Sequence, residues 1–193
     1  MAIVFKQLAV IGLAITALAG CQSIDLNTVK LKTVTETEQT KRNALIYCSG
    51  TADCEFERFD KIPVIDSKSH RLEREALRKK IIRLQTNSLK NSNSLYLSVP
   101  EGQHEVVIRY YPISKDKAET LHIIHNFKAS TSYTLKMFRE RSKNKGSLLT
   151  VSPPEPLCVD LKQDKKTIRR FCKPYNVLNG LGEFVEQKNF KSL

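Results

Sequence analysis

From Ser94 to Tyr111 the chain alternates residue types with a period of two through two successive stretches, and this pattern constrains the fold more than any other feature. Leu95, Leu97 and Val99 are interleaved with Tyr96 and Ser98, after which Pro100, Glu101, Gly102 and Gln103 form a turn signal. His104, Val106, Ile108 and Tyr110 then point to one face, and Glu105, Val107, Arg109 and Tyr111 to the other, as in a sheet packed on at least one side. Leu121–Phe127 and Tyr133–Arg139 are expected to form a hairpin across Ala129–Ser132, with Gly146–Val151 as the next strand. Leu45–Cys48 and Ile62–Ile65 read as short strands.

One stretch departs from this period. Between Ser69 and Leu84, the residues Leu72, Ala76, Leu77, Ile81 and Leu84 recur at helical spacing. They predict one amphipathic helix whose exposed face carries Arg74, Arg78 and Lys79. The expected fold is therefore mainly β: an antiparallel β-sandwich with one amphipathic helix, in a single domain over residues 44–187. A chain of 193 residues, 40% apolar and 27% charged, can build such a core and does not have the composition of a multi-span membrane protein.

The amino terminus sets the compartment. Residues 1–20 carry a single charge, Lys6, followed by an apolar run from Leu8 to Ala19. Spanning a bilayer takes roughly 20 apolar residues, so this shorter run reads as a cleaved signal peptide. The sequence Leu18-Ala19-Gly20-Cys21 resembles the lipobox of bacterial lipoproteins. The resemblance implies cleavage before Cys21, a diacylglycerol thioether on its sulfur and an acyl chain on its new amino group. Gln22, where such lipoproteins carry Asp for retention in the inner membrane, implies the outer membrane, periplasmic face. More broadly the chain resembles small lipoproteins of Gram-negative bacteria, a likeness that carries no catalytic residues. Residues 21–43 are expected to be the lipidated terminus and a tether, although Val29 and Leu31 alternate with lysines and could add as a strand. Residues 188–193 are expected to fray.

With Cys21 assigned to lipid, Cys48, Cys54, Cys158 and Cys172 remain. In an oxidising compartment an even number reads as two disulfides. Four cysteines allow three connectivities, of which the near pairs, Cys48 with Cys54 and Cys158 with Cys172, are expected. Zinc is the competing use of four thiolates, but neither pair has the usual two to four intervening residues.

Leu95–Val107 also resembles the strand-turn-strand of PEGA-type modules of exported bacterial proteins. Pro100, Glu101 and Gly102 match the first three letters of that name, and Gln103 departs from the fourth.

Chemical motifs are sparse. Of His70, His104, His122 and His125, only His122 and His125 resemble a metal pair, and residues three apart on a strand face opposite sides. No Gly-x-Ser-x-Gly elbow or glycine-rich phosphate loop is present. Paired carboxylates leave no local mark, so the alternative is an envelope hydrolase with dispersed acidic residues. The formal charge of +12 would ordinarily suggest nucleic acid, but export directs it to envelope anions or simple solubility instead. Cations concentrate in Lys136–Lys145 and in Lys162–Lys173, where a disulfide-bounded basic loop with Lys165, Lys166, Arg169, Arg170 and Lys173 is the candidate anion-binding surface. Its simpler reading is a solvated loop.

The sequence thus predicts a non-enzymatic binding or scaffolding module of the cell envelope, without cofactor or metal. The expected partners are the membrane, through the lipid anchor, and either another envelope protein or an anionic glycan or lipid. No nucleic acid is expected.

Overall fold

The computed structural model describes residues 30–50, 53–85, 93–140, 156–173 and 182–190. Its strands in chain order are β1 (Ala44–Gly50), β2 (Asp53–Phe59), β3 (Ile62–Pro63), β4 (Ile82–Leu84), β5 (Leu95–Val99) and β6 (Gly102–Tyr111). They continue with β7 (Glu119–Phe127), β8 (Ser132–Arg139), β9 (Leu157–Gln163), β10 (Lys166–Lys173) and β11 (Val185–Glu186), while a helix, α1 (Arg74–Arg78), lies between β3 and β4. The large sheet has the order β11-β10-β9-β8-β1-β5-β4 and the small sheet β3-β2-β6-β7. The fold is mainly β and sandwich-like.

Alternation explains the layers. Ala44, Ile46 and Cys48 of β1, Leu97 and Val99 of β5, and Tyr133, Leu135 and Met137 of β8 are buried on one side of the large sheet. Phe56, Val106, Ile108, Tyr110, Leu121, Ile123 and Phe127 meet them from the small sheet in one continuous core. Tyr110 donates its hydroxyl to the Leu135 carbonyl across the layers at 3.3 Å, and burial pushes that phenol's pKa up. The disulfide Cys48–Cys54 joins β1 to β2 and therefore one sheet to the other, whereas Cys158–Cys172 joins the neighbouring strands β9 and β10.

Several expectations need correction. The predicted β7–β8 hairpin does not form: β7 pairs with β6 in the small sheet and β8 with β1 and β9 in the large one, so the chain crosses layers at Ala129–Thr131. β5 and β6 part in the same way at Pro100–Glu101. All named strand pairs are antiparallel except β1 with β8, which run parallel from Leu45↔Ser132 to Gly50↔Met137.

The basic loop enclosed by Cys158 and Cys172 is in fact the β9–β10 hairpin. Asp164 and Lys165 both have positive φ (45° and 79°), which suits the tight two-residue turn of a twisted hairpin. The expected helix over Ser69–Leu84 is one short turn, α1. Lys80 adopts φ 54° after it, and Ile82–Leu84 then becomes an edge strand. Leu72 instead forms an isolated bridge with Ile65.

The packed body also begins before residue 44. Leu31, in a helical turn rather than a strand, is 5% exposed and belongs to the core. Asn43 donates to Ser98 Oγ at 3.0 Å. At the other end, Phe184 packs against the core and β11 adds to β10. Cys21 and Gly146–Val151 lie outside the described residues. Among the described residues, no helix is long and apolar enough to cross a membrane.

Candidate functional site

The core takes one side of each large-sheet strand, and strand pairing aligns what the other side displays. Register places Arg83 of β4 beside Tyr96 of β5, Tyr96 beside Tyr47 of β1, Tyr47 beside Thr134 of β8, and Thr134 beside Lys162 of β9. These residues form a transverse row on the outer face. Tyr47 and Tyr96 stack with ring centroids 4.8 Å apart and planes 23° from parallel, and both are partly exposed. Desolvation by burial raises both phenol pKa values, with Tyr96 adding to the effect on Tyr47 and Arg83 opposing it on Tyr96. Both therefore remain neutral hydroxyls at neutral pH.

Beyond Tyr47 the face dips into a shallow recess of about 460 Å³ lined by Ser132, Thr134, Lys162, Asp164 and Lys165. Asp164 is committed to the turn: its backbone N–H donates to the Ser132 carbonyl at 2.9 Å, and its carboxylate accepts from the Ser132 N–H at 3.2 Å. Its charge is thereby fixed at the rim, while the two lysines and two hydroxyls supply donors.

At the opposite end of the row Arg83 is 4% exposed. Its Nε donates to Glu36 at 2.5 Å and its Nη1 to the carbonyls of Lys80 and Ile82, while Nη2 has no partner among the described residues. The hydrogen bond from Arg83 holds the Glu36 carboxyl below its usual range, against a smaller opposing desolvation effect. The segment before β1 is thus strapped to the sheet edge.

The five cations of the predicted anion-binding surface are not brought together. Strand period separates them: Arg170 pairs in register with Asp160, and Arg169 with Leu161, so the two lie on opposite faces of β10. Arg170 donates to both Asp160 oxygens at 2.6 and 3.0 Å, and that bond raises its pKa further. Arg169 forks onto Glu186 at 2.6 and 2.7 Å and donates to the Ile124 carbonyl at 2.6 Å. Lys173 bonds Glu119. Lys165 and Lys166 are exposed, and of the five only Lys165 lines the recess.

A second polar cluster lies on the outer face of the small sheet. Glu55 accepts from Tyr111 Oη at 2.7 Å, from His70 Nδ1 at 3.0 Å and from Arg109 Nη2 at 3.2 Å. Arg109 is 3% exposed and also donates to the carbonyls of Ile65 and Asp66. Its Nε approaches Glu57 to 3.5 Å without hydrogen-bond geometry. The arrangement pins the 64–72 connection onto the sheet, and burial, followed by the bond to Glu55, raises the Tyr111 pKa.

The histidines divide as their spacing requires. His122 reaches Glu105 on the outer face, while His125 sets its ring against Phe127 and Tyr133, where desolvation lowers its pKa. His104 donates to Asp60 Oδ2 at 2.8 Å beside the turn. Ligand atoms of Glu140, Cys158 and Cys172 lie within 4.8 Å of one another, but the two sulfurs are joined in a disulfide and offer no thiolate.

Sequence reasoning missed Tyr47, Tyr96, Thr134, Lys162 and Arg83. The two tyrosines were detectable, because each is an aromatic residue at the non-core position of an alternating strand. Thr134, Lys162 and Arg83 join them only through long-range register. No family model, curated protein or solved structure matches the chain.

Proposed function

We propose that this chain is a non-enzymatic binding or scaffolding module of the bacterial cell envelope, held by lipid on Cys21 at the periplasmic face of the outer membrane. The observation that carries the reading is the row on the large sheet: stacked, partly exposed tyrosines next to a recess with two lysines and two hydroxyls. Broad, shallow faces of this kind bind extended partners, whereas catalysis usually draws converging groups into a deep cleft. The Glu55 carboxylate is already held by three side-chain donors, an arrangement that fixes a loop rather than one poised for proton transfer. Two disulfides suit an oxidising compartment and support the same address.

Two measurements test the reading together. Metabolic labelling with palmitate should mark the wild-type chain and leave Cys21→Ser unmarked and unanchored. A photo-crosslinking side chain at position 134, on the row, should capture an envelope component in intact cells, while the same group at position 57, on the other outer face, should capture far less. An unlabelled wild-type chain, or equal capture at both positions, overturns the proposal.

A further inference from the structure

The row on the outer face of the large sheet has a chemistry that identifies its ligand class. From Tyr96 to Lys162 it crosses four neighbouring strands, roughly 14 Å at a strand spacing of about 4.8 Å. One end is an uncharged pair of stacked tyrosines, and the other is a recess whose donors are Lys162, Lys165, Thr134 and Ser132. Lys136 is exposed on the same face, one step along β8 from the recess. Among the described residues the only acid lining the recess, Asp164, is already bonded to the Ser132 N–H.

An extended ligand that matches this row must offer flat apolar patches to tyrosine rings, hydroxyls to hydroxyls, and anionic groups to lysines. Sugar rings bearing carboxylates meet all three requirements. A lipid headgroup offers hydroxyls and anionic groups but no ring to set against the tyrosines, and a single-stranded nucleic acid, which does combine stacked bases with phosphate contacts, is not a component of the envelope in which the module reading places the chain. Resting on the binding-module reading, we propose that this row binds a short stretch of acidic glycan, with a sugar ring against the stacked Tyr47–Tyr96 pair and its carboxylates at Lys162 and Lys165.

The test is calorimetric titration of the full chain, in mild detergent, with an oligogalacturonate. A neutral maltooligosaccharide, glycerol phosphate as headgroup analogue and a single-stranded oligonucleotide serve as parallel arms. The chain has no tryptophan and six tyrosines, so the change in tyrosine emission that Tyr47→Ala abolishes reports on the stacked pair. The acidic oligomer should bind and change that emission, and the affinity should fall as salt rises through the range where charges are screened. Tyr47→Ala and the double change Lys162→Ala with Lys165→Ala should each weaken binding about tenfold, equivalent to about 1.4 kcal/mol. The lysine changes are at positions outside the core, so they keep the test valid if Tyr47→Ala fails to fold. Absent binding, unchanged affinity in the folded variants, equal binding of the neutral sugar, or stronger binding of glycerol phosphate or the oligonucleotide overturns the inference. A partner captured at position 134 would leave the broader module reading standing even then.

Discussion

Arg170 lies beside Asp160 beneath the rings of Phe138 and Phe190, and Thr167 donates to the same carboxylate at 3.1 Å. Both charged side chains are 7% exposed, so each relies on the other for what water no longer supplies. Replacing Asp160 with Ala should cost about 3–5 kcal/mol in urea unfolding, because an uncompensated guanidinium stays buried. The double change Asp160→Leu with Arg170→Met should recover most of that loss. If the double variant is as unstable as the single one, lost packing rather than buried charge is the cause. Gly50 offers a second test at this scale. Its φ is 137°, and an added Cβ would lie 2.2 Å from the Met137 carbonyl oxygen, so Gly50→Ala should break the end of the parallel β1–β8 pairing and lower the midpoint of thermal unfolding by several degrees. The basic segment was legible as a concentration of charge, but period two divides it, and the acids that take up Arg169, Arg170 and Lys173 come from other strands.

Elements show why the α1 region misled a reading of the sequence. Leu72, Ala76, Leu77, Ile81 and Leu84 are all at least partly buried, but they serve a bridge, a single helical turn and an edge strand in succession. Burial was legible, whereas the break at Lys80, a non-glycine residue with positive φ, left no turn signal. The strands β5, β6, β7 and β8 were legible because alternation is a local property, while their assignment to different sheets depends on pairing across distant residues. The strap before β1 was likewise hidden, since Glu36 gains meaning only from Arg83. That pair gives the element a pH dependence. Glu36 has its folded pKa below the ordinary value of 4.5, so its contribution is present above that value and is lost as pH falls through the lower folded one. Hydrogen exchange of residues 30–43 should therefore be slow, relative to intrinsic rates, at about pH 6 and lose protection as the pH is taken below the ordinary carboxylate range. Glu36→Gln should remove the step and leave exchange fast at both, and a step that persists in this variant would assign it to another group.

On the scale of the molecule, the two sheets are tied at separate places by different chemistry. Cys48–Cys54 joins β1 to β2, and a bridge of that loop size contributes about 2 kcal/mol. Elsewhere Arg169 and Lys173 of β10 reach Ile124 and Glu119 of β7. β7 is the long edge of the small sheet, nine residues with β6 as its one sheet neighbour, and Ile124 is 56% exposed on it. The Ile124 carbonyl points away from β6, and alternation turns the backbone groups of His122 and Asn126 the same way. Such an edge is a template for pairing with another chain, and a guanidinium bonded to its central carbonyl is an obstacle to that pairing. Glu186 holds the guanidinium in place, and Arg169 in turn keeps the Glu186 carboxyl ionised below its usual range. Arg169→Ala should consequently do more than remove a partly exposed ion pair. The variant should associate in a concentration-dependent way, seen as a rising mean mass in sedimentation equilibrium, while wild type at the same concentrations does not. Arg169→Lys should fall between the two, because a lysine can cap the carbonyl but cannot also fork onto Glu186. If Arg169→Ala loses stability yet keeps the wild-type mass, the guanidinium serves only to join the sheets and the edge is guarded by something else.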